Sequence, residues 1–230
     1  MKEYRKTRHG ADHVCRTAYF LALFSFVFSA ILAPKLAVAM NHEAGGADFR
    51  LITLQSILGA LAVNLPLLIR RWTGWRIPRG LTLYYLLFLW CSIFLGEALG
   101  FYYRFTHWDD MLHLSCGAFL GVLGFYFFRF LSGKSGEKHD TPPFLAAIFS
   151  LFFALSVGAM WEIYEYTCDG LLHINMQKFA EGSAISGRLT PLLGREALRD
   201  TMEDLIVDFL GASIAALAGY FITKRGAIRK

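Results

Sequence analysis

His113, Glu162, Glu165, Asp204 and Asp208 are one imidazole and four carboxylates set inside stretches otherwise built of apolar side chains. Such a set suits a divalent cation. Oxygen donors favour Mg²⁺, Mn²⁺ or Ca²⁺, and a histidine admits Zn²⁺ or Fe²⁺. Without a metal, neighbouring carboxylates can work as a general acid and base pair or as a proton relay. These five are therefore the candidate catalytic and metal-holding residues, with His113 as a ligand or a proton shuttle. Asp109, Asp110, Asp200 and Glu97 are supporting candidates. The first three open helices, where a carboxylate also accepts free backbone N–H groups, and Asp109 and Asp110 would orient His113.

Helical spacing arranges these residues in stripes, because positions three, four, seven, eight and eleven apart share a face. His113, Gly117, Gly121 and Gly124 line up below Asp109 and Asp110; Gly158, Glu162, Glu165 and Asp169 form a second stripe. The third is Asp200, Asp204, Asp208, Gly211 and Ala215, and Gly96 and Gly100 flank Glu97. Each acidic stripe runs into small residues, which let membrane helices approach closely. The acids are thereby expected to face a bundle interior. Asp208 lies roughly 12 Å along the helix from Asp200 at 1.5 Å per residue. A carboxylate at mid-bilayer costs about 2.5 kcal/mol or more, so several together need a partner or must stay protonated. Arg104, Arg195, Arg199, His107 and His113 are the nearest candidates. Glu43, Asp48, Glu181 and Glu196 read as solvated loop residues, and Asp169 and Glu203 as residues that either join the stripe or face water.

The elements that must carry these stripes follow from composition. Of 230 residues, 55% are hydrophobic and only 18% charged, whereas soluble domains carry about 25% charged residues. Six stretches are long and apolar enough to cross a bilayer as helices, roughly 17–38, 51–69, 81–103, 109–131, 144–167 and 200–223. The fold class expected is an all-α polytopic bundle of six transmembrane helices, residues 1–230 forming a single transmembrane domain. Sixteen of the 23 Lys and Arg residues fall in the amino-terminal tail, "RRWTGWRIPRG", the segment 129–143 and the tail "KRGAIRK". Basic segments at every second connection place both termini in the cytoplasm of a bacterial inner membrane. Fourteen of the 18 acids then lie at the outer end, and 169–199 is a long extracytoplasmic loop able to form a lid or an interfacial helix.

Several classes are disfavoured. The net charge of +5 is absorbed by topology, with no nucleic-acid-binding motif. The four cysteines lack paired spacing and read as packing residues. G-x-S-x-G, H-E-x-x-H and Walker loops are missing. The run ending in "AVA" at 37–39 imitates a signal peptide, but its apolar core exceeds the usual 7 to 15 or so residues, so a retained helix is expected.

The motifs "WDDMLHLSCGAFLG", "WEIYEY" and "RDTMEDLIVDFLGA", at this spacing among six spans, resemble the YjdF-like bacterial inner-membrane proteins, whose biochemical function is not established. More distantly the chain is similar to VanZ-like proteins, associated with glycopeptide resistance. That likeness implies a site at Asp109, His113, Glu162, Asp204, Asp208 and Gly211. The chain departs from the VanZ-like pattern at Asp110, where a Lys is common, and at Asp208, where an Asn stands. Taken together, the reading is an outward-facing Asp/Glu/His cluster that binds a divalent cation and binds or acts on a lipid-like envelope substrate within the lipid bilayer. A cation- or proton-coupled transporter or channel is the rival reading, and a structural membrane partner the third.

Overall fold

A computed structural model describes residues 2–43, 48–134, 142–183 and 188–228. Among them are six helices long and apolar enough to cross a membrane: His13–Ala39, Phe49–Thr73, Arg79–Ala98, Trp108–Gly133, Pro143–Leu172 and Glu196–Arg225. Each overlaps one of the six stretches read from hydropathy, the third ending at Ala98 rather than at 103. The chain forms two compact units, Met1–Trp108 and Asp109–Lys230.

In the first unit, α1 (Lys2–Glu43) continues through "AVA", and Ala33 and Ala37 are buried with Ile52 and Ala98. The second span is two helices, α2 (Phe49–Ala62) and α3 (Leu65–Thr73), because Pro66 has no N–H to continue the ladder. A break at membrane depth must meet its freed backbone groups internally. Here Asn64 Nδ2 donates to the Ala60 carbonyl at 3.2 Å, and Tyr85 Oη donates to the Ala62 carbonyl at 2.8 Å. Tyr19 Oη donates to Asn64 Oδ1 at 2.9 Å. The third span is α4 (Arg79–Leu89) continued by a π-helical stretch, Trp90–Ala98, after which come Gly100 in left-handed backbone at φ 73° and the single turn α5 (Phe101–Arg104). Asp48 departs from its sequence reading. It is buried, capping α2 by accepting the Arg50 N–H at 2.8 Å and pairing with the Arg50 guanidinium at 2.7 Å.

The second unit packs α6 (Trp108–Lys134), α7 (Pro143–Leu172) and α8 (Arg199–Ile228). Its small residues sit where helices touch. A Cβ on Gly117 would strike the Asp208 backbone, one on Gly211 the Leu114 carbonyl, and one on Gly121 the Ala215 side chain. Ser150 Oγ donates to the Gly121 carbonyl, and Leu120, Ala154 and Ala212 fill the space between. Cys15, Cys91, Cys116 and Cys168 form no disulfide.

The all-α reading needs one addition in the loop after α7. Ala180–Ser183 (β1) and Arg188–Pro191 (β2) pair antiparallel in register Ala180↔Pro191. A short hairpin thus stands where an interfacial helix was one expectation, and a 3₁₀ turn, Glu196–Leu198, leads into α8.

Because the atoms facing Gly211 are backbone, which cannot turn aside, Gly211→Leu should lower the thermal midpoint of detergent-purified protein by about 5 °C or more. Gly133→Leu, where a side chain meets open space, should leave the midpoint unchanged.

Candidate functional site

The site grows from the three acidic stripes of the second unit. Residue Gly158 of α7 lets α8 come so close that a Cβ there would meet the Asp208 carboxylate. One turn further along the same face is Glu162, then Glu165 and Asp169, all buried. From α6, His113 reaches the carboxylates of α8: its Nδ1 is 3.4 Å from Asp208 Oδ2 and its Nε2 is 3.8 Å from Asp204 Oδ2. The same Nε2 lies 3.7 Å from Asp109 Oδ1, one turn earlier on α6.

Three ligand atoms, one each from Asp109, His113 and Asp204, all lie within 4.8 Å of one another. Metal–ligand bonds of about 2.0–2.4 Å set two ligands of one ion roughly 3–4.8 Å apart, depending on the angle between them. These donors therefore converge closely enough for a single cation. Asp204 and Asp208 are 3% and 4% exposed, and Glu162 is 6% exposed. Asp208 Oδ1 accepts no hydrogen bond, and the buried Glu162 carboxylate makes none of good geometry, with the Thr201 hydroxyl as its neighbouring donor. Buried polar oxygens without donors are strongly disfavoured, and ionised ones far more so. Glu162 lies within electrostatic reach of His113 and Asp208, and Glu165 within reach of Asp109, His113 and Asp204.

Lys178 brings a positive charge from the loop, and the sequence reading missed it. Its Nζ donates to Asp109 Oδ2, and to Asp200 Oδ1 at 2.8 Å. Burial works against the ammonium, yet Asp109 and Asp200 outweigh it and hold the pKa above the ordinary lysine value. The arginines considered as counter-charges lie elsewhere in part. Arg199 pairs with Glu203 at 2.9 Å and Glu196 at 3.5 Å on an exposed face, which also places Glu203 in solvent. The one sequence signal for Lys178 is that it is the basic residue next after the acidic stripe of α7.

Asp169 also changes role. It is buried and ties the loop down, accepting the Met176 N–H at 2.7 Å and the Gln177 N–H at 3.0 Å. Gln177 Nε2 then donates to Thr201 Oγ1 at 2.9 Å, joining the loop to α8. Asp110 stands in the first turn of α6, partly buried and engaged, outside the three converging residues. Glu97 belongs to the first unit, where it is buried and accepts the Tyr103 hydroxyl at 3.4 Å.

Among known proteins, the family model described as "Predicted membrane protein (DUF2238)" matches residues 16–225. An "Uncharacterized protein" of Thermotoga maritima is 32% identical over 134 residues, 56% of this chain, which spans 58% of that relative's length. No solved structure matches.

Asp169→Ala removes both acceptors that pin the loop. Each lost hydrogen bond leaves a donor unmet at about 1–3 kcal/mol. Hydrogen exchange read by mass spectrometry should therefore speed up about tenfold or more at Met176 and Gln177, with α6 unchanged.

Proposed function

The chain belongs to the DUF2238 family of predicted membrane proteins, and on that premise we propose that its second unit holds a divalent cation among Asp109, His113 and Asp204. Glu162 and Asp208 complete the donor set, with Glu165 and Asp200 beside it. The observation that carries the reading is the buried, poorly satisfied carboxylates of Asp208, whose Oδ1 accepts no hydrogen bond, and Glu162, beside three converging ligand atoms. Six carboxylates, Asp109, Glu162, Glu165, Asp200, Asp204 and Asp208, share this region with one ammonium, Lys178, and one imidazole, His113. Two like charges about 4 Å apart repel by about 4 kcal/mol at an effective dielectric of 20. A divalent ion offsets that repulsion and gives the poorly satisfied oxygens a partner.

One imidazole among carboxylates suits Mn²⁺, Fe²⁺ or Zn²⁺ better than an all-oxygen ion such as Ca²⁺. Bound there, such an ion supplies Lewis acidity toward a phosphoryl or carbonyl oxygen. His113 would either ligate such an ion or, left unligated, relay a proton to or from the Asp208 carboxylate 3.4 Å away. The distribution of Lys and Arg supports a bacterial inner-membrane location with both termini in the cytoplasm and the site toward the outside. At that depth the site meets outer-leaflet headgroups, so a lipid-like envelope molecule is the substrate or ligand we assign. The YjdF-like motifs accord with the family; the VanZ-like likeness adds nothing further.

Titration of detergent-purified protein with Mn²⁺, read by the loss of the free-ion electron paramagnetic resonance signal, should give one ion per chain. Asp204→Asn and Glu162→Gln should each weaken binding about tenfold or more. Equal and negligible binding in all three proteins would remove the cation site.

The orientation has its own check. Leu193, 86% exposed in the loop before α8, should be labelled as Leu193→Cys by a membrane-impermeant maleimide in intact cells whose native cysteines are replaced. Labelling only after permeabilisation would invert the topology.

A further inference from the structure

Lys178 is held too firmly to be an incidental surface ion pair. Exposed pairs between flexible side chains contribute little because both partners must be ordered. Here the backbone on either side is already fixed: Asp169 takes the Met176 and Gln177 N–H groups, Gln177 grips Thr201, and Asn175 Nδ2 donates to the Ala180 carbonyl at 2.6 Å. Lys178 itself has φ 48°. A residue with a side chain enters that left-handed region at an energetic cost and stays there only when its surroundings enforce it. The surroundings enforce a single result, an ammonium between Asp109 of α6 and Asp200 of α8.

Asp109 divides its two oxygens. Oδ2 meets the Lys178 ammonium, and Oδ1 faces His113 at 3.7 Å in the group of converging ligands. A carboxylate shared in this way between two positive centres is the bridge of two-metal sites, whose ions stand about 3.5–4 Å apart. Asp200 is the terminal ligand that the outer position would need.

We infer that the second unit is a two-cation site in which Lys178 permanently occupies the outer position, between Asp109 and Asp200, leaving the inner position for a divalent ion. This rests on the cation reading above and goes beyond it. The lysine limits the site to one metal and makes the loop part of the charge balance of the cluster. An opposing role is also conceivable for such a residue, that of merely orienting Asp109; losing an orienting partner weakens a metal site about 10–100-fold. The two roles give opposite signs. Removing an orienting group weakens the one ion, whereas removing a tethered cation bares two carboxylates and admits a second.

The test counts Mn²⁺ at equilibrium in detergent-purified full-length protein, wild type against Lys178→Met, Lys178→Arg and the double variant Lys178→Met/Asp200→Asn, all checked for monodisperse elution. Wild type and Lys178→Arg should bind one ion per chain and Lys178→Met two; the double variant should return to one. A count of one in Lys178→Met, or a second ion that survives the loss of Asp200, would overturn the outer position while leaving the inner site standing. Two ions in the wild type would overturn it as well, since the lysine would then block nothing. A wild-type count of zero that becomes one in Lys178→Met would support the outer position and overturn the inner one. Zero in every protein would overturn both.

Discussion

Asp208 can lie among three helices only because two of its neighbours carry no side chain. Gly117 of α6 faces its backbone and Gly158 of α7 faces its carboxylate, each closer than a Cβ allows. That approach puts the carboxylate 3.4 Å from His113. It also shuts the carboxylate away from solvent, so a group that water would have stabilised must find protein or ligand partners instead. Packing and charge are thus one constraint in this unit. A bulkier residue at Gly117 would move α8 outward and lengthen the distances from His113 to Asp204 and Asp208 together, whereas one at Gly158 would turn the Asp208 carboxylate aside.

The counter-charge arrives from a loop, and there is a physical reason for it to do so. A lysine on a buried helical face would lose its hydration wholly, a penalty that the Coulombic gain often fails to repay. Lys178 instead approaches from the loop end, its side chain 45% exposed, with carboxylates on one side of the ammonium and solvent still open to it on the other. Such an arrangement demands a loop of fixed shape. Asp169 supplies it by taking two N–H groups that the turn out of α7 would otherwise leave unmet. An acid of the buried stripe thereby becomes the anchor of the segment that brings the base.

The parts of this arrangement legible in the sequence are those set by local periodicity. Span length follows from runs of apolar residues, and the faces that touch follow from Gly117, Gly121, Gly158, Gly211 and Ala215 at helical spacing. What periodicity does not carry is pairing at long range. Lys178 meets partners 69 and 22 residues away, and nothing in its immediate neighbours marks it. Asp48 was misread for a related reason: a cap bonded to Arg50 and buried under its own helix looks in sequence like any polar residue between spans. The hairpin of β1 and β2 is likewise short enough that four residues a side leave little pattern. Glu97 has the composition of a site residue, but it belongs to the first unit, where its carboxylate accepts the Tyr103 hydroxyl.

The two units answer the same membrane problem differently, and the contrast locates the chemistry. In the first, a broken span exposes backbone carbonyls and neutral donors close on them, Asn64 on Ala60 and Tyr85 on Ala62; Trp90 Nε1 meets Ser25 Oγ at 3.1 Å in the same manner. The polar atoms left over there among the described residues, Ser56 Oγ and Trp108 Nε1, are neutral donors whose burial is a modest penalty. In the second unit the helices run unbroken among the described residues, so no helix break calls for the polar side chains of the buried stripes. Their carboxylates are nevertheless buried, and those of Glu162 and Asp208 are poorly satisfied. A polar group that repairs a helix is accounted for by the fold. Glu162 and Asp208 repair no helix break, and it is on their burial beside His113 that the proposed cation site rests.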